Sequence, residues 1–196
     1  MAPPDIRAEW PNTKRQWRTA ALAARRSYEP ANSGAGLLRG LAPLLAGIDT
    51  VASYASYGSE PSTDAVHSWL LQSGVRILLP ILQPDGDLSW ARYDGALVPA
   101  GRGLHQPPGP DLGRYAVAAA ELVLVPALAV DRRGVRLGRG GGSYDRALPR
   151  AGGVVIALLH DGELVDRLPT EAHDVRVAGA VTPHGGLVRL PDQIAG

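Results

Sequence analysis

The sequence predicts an α/β fold in layers, with a mostly parallel sheet flanked by helices and organised as one domain of 196 residues. Three observations carry that reading. Short apolar runs such as Ile48 to Tyr54, Leu122 to Val125 and Val154 to Leu159 have the length and boundaries of buried strands. Segments with helical spacing, Thr13 to Tyr28 and Ser62 to Ser73, alternate with such runs, and alternation at this interval favours parallel pairing across a covering layer. The length suits a single core of ordinary size.

Taken in order, Thr13 to Tyr28 places Trp17, Ala20, Ala21, Leu22 and Ala24 among Lys14, Arg15, Arg18, Arg25 and Arg26, with Thr13 as its cap and Pro30 beyond its end. Residues 1–12 are expected to be flexible. A second helix runs from about Gly36 to Ala46 and contains Pro43. Ile48 to Tyr54 is a strand, and Ser62 to Ser73 a helix between Pro61 and Gly74. Val75 to Leu79 is a strand ended by Pro80. Pro84-Asp85-Gly86 marks a turn inside Leu82 to Val98, which predicts a hairpin. Pro99 to Gly113, rich in glycine and proline, reads as a surface loop lying over another part of the molecule. Leu122 to Val125 opens an apolar run that reaches Val130. A short helix over Ser143 to Arg150 and strands over Val154 to Leu159 and Val175 to Val181 complete the chain.

Composition removes several classes of function. Twenty basic against 19 acidic residues leave a net charge of +1, so no global field marks a nucleic-acid or membrane-surface partner. Without cysteine there is no disulfide, thiolate metal site or cysteine nucleophile. The histidines lack zinc spacing and no serine sits in a nucleophile elbow. No run is long enough to span a membrane, and Pro3, Pro4, Asp5, Glu9 and Pro11 break up the start of the chain, so a cytoplasmic protein is expected.

The chemistry concentrates in Arg136 to Arg146, Arg-Leu-Gly-Arg-Gly-Gly-Gly-Ser-Tyr-Asp-Arg. Consecutive glycines admit positive φ and let backbone N–H groups converge on an anion, while Arg136 and Arg139 add charge. A following helix N-terminus would favour phosphate, although such triplets are also often plain turns. The segment matches neither a P-loop nor a dinucleotide fingerprint. Asp145 either complements the helix dipole or, with Asp174, binds magnesium on a nucleotide. Asp131 is a turn former with Gly134. Lys14 and Arg18 share one helix face and either reach a phosphate together or are solvated. Glu60 either caps locally or accepts from the paired N–H donors of an amino-substituted heterocycle, on which Tyr54 and Tyr57 could stack unless they simply pack. Arg25 and Arg26 read as a solvated basic face, with a polyglutamate tail as their other possible partner.

In this order the segments resemble the 5-formyltetrahydrofolate cyclo-ligase family. The resemblance runs through Lys14-Arg15-Gln16-Trp17-Arg18, Glu60-Pro61-Ser62-Thr63, Leu79-Pro80, Leu124 to Asp131, Gly134 to Arg146 and Pro169-Thr170-Glu171-Ala172-His173-Asp174. It implies a NagB/RpiA/CoA transferase-like layered fold and a monomer that closes 5-formyltetrahydrofolate to 5,10-methenyltetrahydrofolate with ATP and magnesium. By the same match Lys14, Arg18 and Arg136, Leu137, Gly138, Arg139, Gly140, Gly141, Gly142, Ser143 and Tyr144 contact the nucleotide. Arg139 to Ser143 are shared with the folate, Ala55 and Glu60 hold its pterin, and Asp145 and Asp174 bind the metal. Arg139 and Arg136 would be the catalytic cations. The chain departs from the family pattern at Ser143, usually aromatic, at Val130, usually phenylalanine, and at Arg102 to Pro107. A non-catalytic nucleotide- or folate-binding module is the alternative, with a sugar-phosphate isomerase or acyl-transfer enzyme behind it.

Overall fold

The computed structural model describes residues 13–27, 33–101, 103–172 and 174–191, so the expectations for residues 1–12, Tyr28 and Pro30 lie outside the described residues. Helix α1 (Lys14–Ala24) starts at Thr13, whose side chain accepts from the Gln16 N–H. It runs into a 3-10 turn, Arg25–Ser27. Helix α2 (Gly34–Leu45) carries Pro43 in its last turn and buries Leu37, Leu41 and Leu45 at four-residue spacing. Strand β1 (Thr50–Ala52), helix α3 (Asp64–Gln72), strand β2 (Arg76–Leu82) and strand β3 (Leu88–Tyr93) follow. Next come a small hairpin, β4 (Val98–Pro99) with β5 (His105–Gln106), then β6 (Leu122–Pro126), β7 (Ala129–Asp131) and β8 (Arg136–Leu137). The chain ends with α4 (Ser143–Ala147), β9 (Val154–Leu158), β10 (Leu164–Val165), β11 (Gly179–Thr182) and β12 (Gly186–Arg189).

The main sheet has seven strands in the order β12-β11-β9-β6-β1-β2-β3. The run from β11 to β2 is parallel, and the edges β12 and β3 are antiparallel. Alternation sorts its side chains. Leu122, Leu124, Ile156 and Leu158 meet α2 and α3 through Leu37, Leu41, Val66 and Leu70. Val123, Val125 and Ala157 face the other way, onto Trp90, Val117, Ala147 and Leu148. Both faces are therefore covered, as parallel strands require. A second sheet, β10-β7-β8, packs Leu137 and Ala129 against Trp17 and Ala21 of α1. No helix among the described residues is long and apolar enough to cross a membrane.

Strand boundaries differ from the sequence reading where apolarity reports burial and not pairing. Val177 belongs to the core, yet residues 175–178 precede the strand, and the Val177 N–H bonds the Gly134 carbonyl. Pro80 does not end β2; β1 stops at Ala52 opposite Leu78, so the missing N–H falls past its reach. Edge strand β12, half exposed and opened by a glycine turn, gave no clear apolar signal.

His67 of α3 is buried, bonded through Nε2 to the Ser53 hydroxyl at 2.8 Å and tilted against Tyr93. Burial lowers its pKa from 6.5 to about 4, against a small opposing pull from Asp64. The unfolded chain therefore takes up a proton that the fold excludes. The stabilisation is complete above pH 6.5 and is lost as pH falls toward 4, with a slope of at most about 1.4 kcal/mol per pH unit from this group. Urea unfolding of wild type and His67→Gln across that window should show the steeper loss in the wild type; parallel slopes would contradict the assignment.

Candidate active site

Beyond the carboxyl ends of β1, β2 and β6 lies a cleft of about 680 Å³, within the range of small-molecule sites. The sheet changes direction here, since β1 leads to β2 on one side and β6 to β9 on the other, and ligands of open α/β sheets bind at such points. All the candidate residues reach it: Lys14 and Arg18 from α1, Ala55 and Glu60 from the segment after β1, 136–145 from β8 into α4, and Asp174. Hairpin β4–β5 contributes Ala100, Leu104, His105 and Gln106, so the glycine-rich stretch does lie over the site.

The glycine loop is shaped by Gly140 and Gly142, at φ 103° and 69°, where a side chain would be strained. Gly142 caps α4, which is only five residues long. Its dipole is that of little more than a single turn, a weaker contribution than a long helix would make. Arg18 Nε donates to the Gly138 carbonyl at 3.0 Å. Arg146, which the sequence reading left without a role, donates through Nη2 to the carbonyls of Gly141 and Gly86, each at 2.7 Å. It straps the loop to the β2–β3 turn. Ser143 lines the cleft at the start of α4. Leu137 also lines it while packing in the core with Trp17.

Three of the four candidate cations, Lys14, Arg136 and Arg139, are paired with a candidate acid, while Arg18 bonds the Gly138 carbonyl. Lys14, the only lysine in the chain, donates to Asp174 Oδ1 at 2.5 Å and to Glu171 Oε2 at 3.1 Å. Arg136 is buried, donates to Asp145 Oδ1 at 2.8 Å and lies over the Tyr144 ring at 5.6 Å. Arg139 Nε donates to Glu60 Oε1 at 3.0 Å, and Nη2 reaches the Tyr57 carbonyl at 3.4 Å. Its side chain remains 39% exposed, leaving donor surface toward the cleft. Glu60 itself is buried, and its Oε2 accepts from the Tyr57 N–H at 3.0 Å, so the local cap is real and coexists with the cleft position.

Among the described residues no three His, Asp or Glu side chains form a metal-holding group. Magnesium on a nucleotide needs only one or two carboxylates besides phosphate and water, so Asp145 and Asp174 on one cleft fit that donor set. Asp131 is fully buried and accepts from the N–H groups of Arg133, Val135 and Leu168, which is turn chemistry as read from the sequence. Burial pushes the hydroxyls of Tyr54 and Tyr144 well above their ordinary pKa, and the nearby Glu60 charge adds to both. They remain neutral donors.

Arg25 departs from its expected place. The 3-10 turn carries it inward, where Nε and Nη2 donate to the two oxygens of Glu163 at 2.6 and 2.8 Å and Nη2 also meets the Ala127 carbonyl. It forms part of the cleft wall from beneath and is not a solvated residue, whereas Arg26 is exposed. No local signal foretold this, because the partner stands 138 positions away.

With this geometry in view, comparison with known proteins is informative. Residues 12–183 match the model of the 5-formyltetrahydrofolate cyclo-ligase family. A 5-formyltetrahydrofolate cyclo-ligase of Mycolicibacterium smegmatis is 44% identical over 191 residues, covering 92% of this chain and 98% of the relative. One from Escherichia coli K12 is 32% identical over 141 residues, 68% of this chain and 78% of its own length. The solved structure of the Aquifex aeolicus 5,10-methenyltetrahydrofolate synthetase superposes with a TM-score of 0.76 at 24% identity, covering 93% and 95% of the two chains. The Mycoplasma pneumoniae synthetase gives 0.67 at 18% identity, with 84% of this chain and 94% of that one covered. These two likenesses establish the fold.

Removing one member of a buried ion pair leaves an uncompensated charge. Glu163→Gln should lower stability by about 3 kcal/mol, and a double change of Arg25→Met with Glu163→Leu should recover much of it. Urea midpoints of the three proteins check this; a Glu163→Gln protein as stable as wild type would contradict it.

Proposed function

The chain belongs to the 5-formyltetrahydrofolate cyclo-ligase family, and from that premise we propose how its cleft performs ATP-dependent cyclisation of 5-formyltetrahydrofolate to 5,10-methenyltetrahydrofolate. The observation that carries the reading is Arg139, which belongs to the glycine loop yet is bonded to Glu60. One side chain thereby joins the proposed nucleotide half of the cleft to the proposed folate half. Lys14, Arg18 and Arg136 to Tyr144 take the nucleotide. Ala55 and Glu60 hold the pterin, and Arg139 to Ser143 lie between the two ligands.

The formyl oxygen on N5 attacks the γ-phosphorus, the bond to the β-phosphate oxygen breaks, and ADP leaves. The resulting imino-phosphate carbon is attacked by N10, the carbon–oxygen bond breaks, and phosphate departs with the former formyl oxygen. The proton shed by N10 balances the protonation of the released phosphate. Such a transfer requires positioning and charge stabilisation more than a protein nucleophile. Arg139, with Nε on Glu60, turns its remaining donors toward the transferring group. Arg136, buried against Tyr144 and Asp145, braces the loop and contributes its charge from behind. Asp145 and Asp174 would be the residues to hold magnesium, which would supply positive charge against the phosphates of the nucleotide. Lys14, now on Asp174, would then be available to phosphate oxygens, while Arg136 stays buried behind the loop. We further propose that the enzyme works as a single-domain monomer in the cytoplasm, with no nucleic-acid or membrane partner.

Incubation with ATP, magnesium and 5-formyltetrahydrofolate should raise the absorbance of the methenyl product in step with ADP release. Binding of both ligands without product would indicate a non-catalytic module. Arg139→Ala should reduce kcat/KM on the order of a hundredfold or more, while the half-exposed pair with Glu60 costs about 1 kcal/mol of stability. Unchanged turnover would remove Arg139 from the mechanism.

A further inference from the structure

Hairpin β4–β5 and the turn that follows β1 meet at Tyr57. Gly103 of the hairpin lies so close to the ring that a Cβ there would come within 2.7 Å of Tyr57 Cε2. The Arg139 guanidinium sits over the same ring, 5.4 Å from its centroid. The backbone is held just as closely. Its N–H donates to Glu60 Oε2 at 3.0 Å, and its carbonyl accepts from the Glu60 N–H at 3.2 Å and from Arg139 at 3.4 Å. Despite these contacts Tyr57 remains 38% exposed, whereas Tyr54 is 3% exposed and packs in the core.

A large aromatic side chain fixed by its neighbours but left uncovered in a cleft is a surface for a flat ligand. We propose that Tyr57 is the specificity-determining residue of the heterocycle site, stacking on the face of a planar, amino-substituted ring whose edge donors bind Glu60. The turn 57–60 then supplies face and edge recognition as one rigid unit, with Arg139 locking it to the glycine loop. Two features of the chain make this ring matter. Ser143 offers no aromatic surface inside the loop, and residues 99–107 contain no Phe, Tyr or Trp. The inference rests on the cyclo-ligase reading above.

Steady-state kinetics of three variants test it. Tyr57→Ala should raise the KM for 5-formyltetrahydrofolate roughly fivefold and leave the KM for ATP within about twofold. Tyr57→Phe should restore the folate KM, and Tyr57→Leu, which keeps the position filled should alanine loosen the hairpin, should not. Calorimetric titration of the folate without ATP should show the same ranking. An unchanged folate KM in Tyr57→Ala overturns the inference. Equal losses for ATP and folate also overturn it, because the ring would then merely brace Arg139, and so does a leucine that works as well as phenylalanine. Absence of turnover in the wild-type protein counts against the cyclo-ligase reading, whereas an active wild type beside an unaffected Tyr57→Ala counts against the role of Tyr57 alone.

Discussion

Three residues, Thr50 to Ala52, hold the cleft-forming half of the molecule in place. Strand β1 is buried throughout and pairs in parallel with β2 on one side and β6 on the other. Its start is fixed as well, since the Glu121 carboxylate accepts from the N–H groups of Asp49 and Thr50. Every residue from Tyr54 to Glu60 is aimed by that short strand, and the glycine loop is aimed by the run from β6 through β7 to β8. Because β1 and β6 are neighbours, the two segments leave the sheet side by side, and Arg139 has only a short distance to cover to reach Glu60. The cleft is a product of pairing order before it is a product of side-chain choice.

Most of the charge in that cleft is paired within it, Arg18 on the Gly138 carbonyl being the exception. Lys14 with Asp174, Arg136 with Asp145 and Arg139 with Glu60 place no large field at the mouth, which matches a chain with a net charge of +1. A bare cluster of basic residues would bind phosphate of any origin and destabilise the free protein by self-repulsion. Paired groups avoid both.

The parts of this organisation legible in the sequence are those with a local cause. The order of strands and helices follows from apolar spacing and from punctuation such as Pro61 and Pro84-Asp85-Gly86, and the glycine segment declares its own backbone geometry. What escaped was long-range or non-periodic. Arg25 looked solvated because its helix is basic, and only the 3-10 turn and a distant glutamate bury it. Arg146 had no visible function because its two acceptors are backbone carbonyls, which leave no trace in residue identity. Tyr54 and Tyr57 were indistinguishable as letters, and three residues of backbone separate a core ring from an exposed one.

The strap made by Arg146 changes how the β2–β3 turn should be regarded. A tight, polar hairpin tip is ordinarily the most permissive place in a protein for insertion or tagging. Here Gly86 stands at φ 80°, and a Cβ on it would come within 2.6 Å of Arg146 Nη2. Lengthening or decorating that tip would therefore be transmitted through one guanidinium to Gly141, so a region that looks peripheral belongs mechanically to the glycine loop.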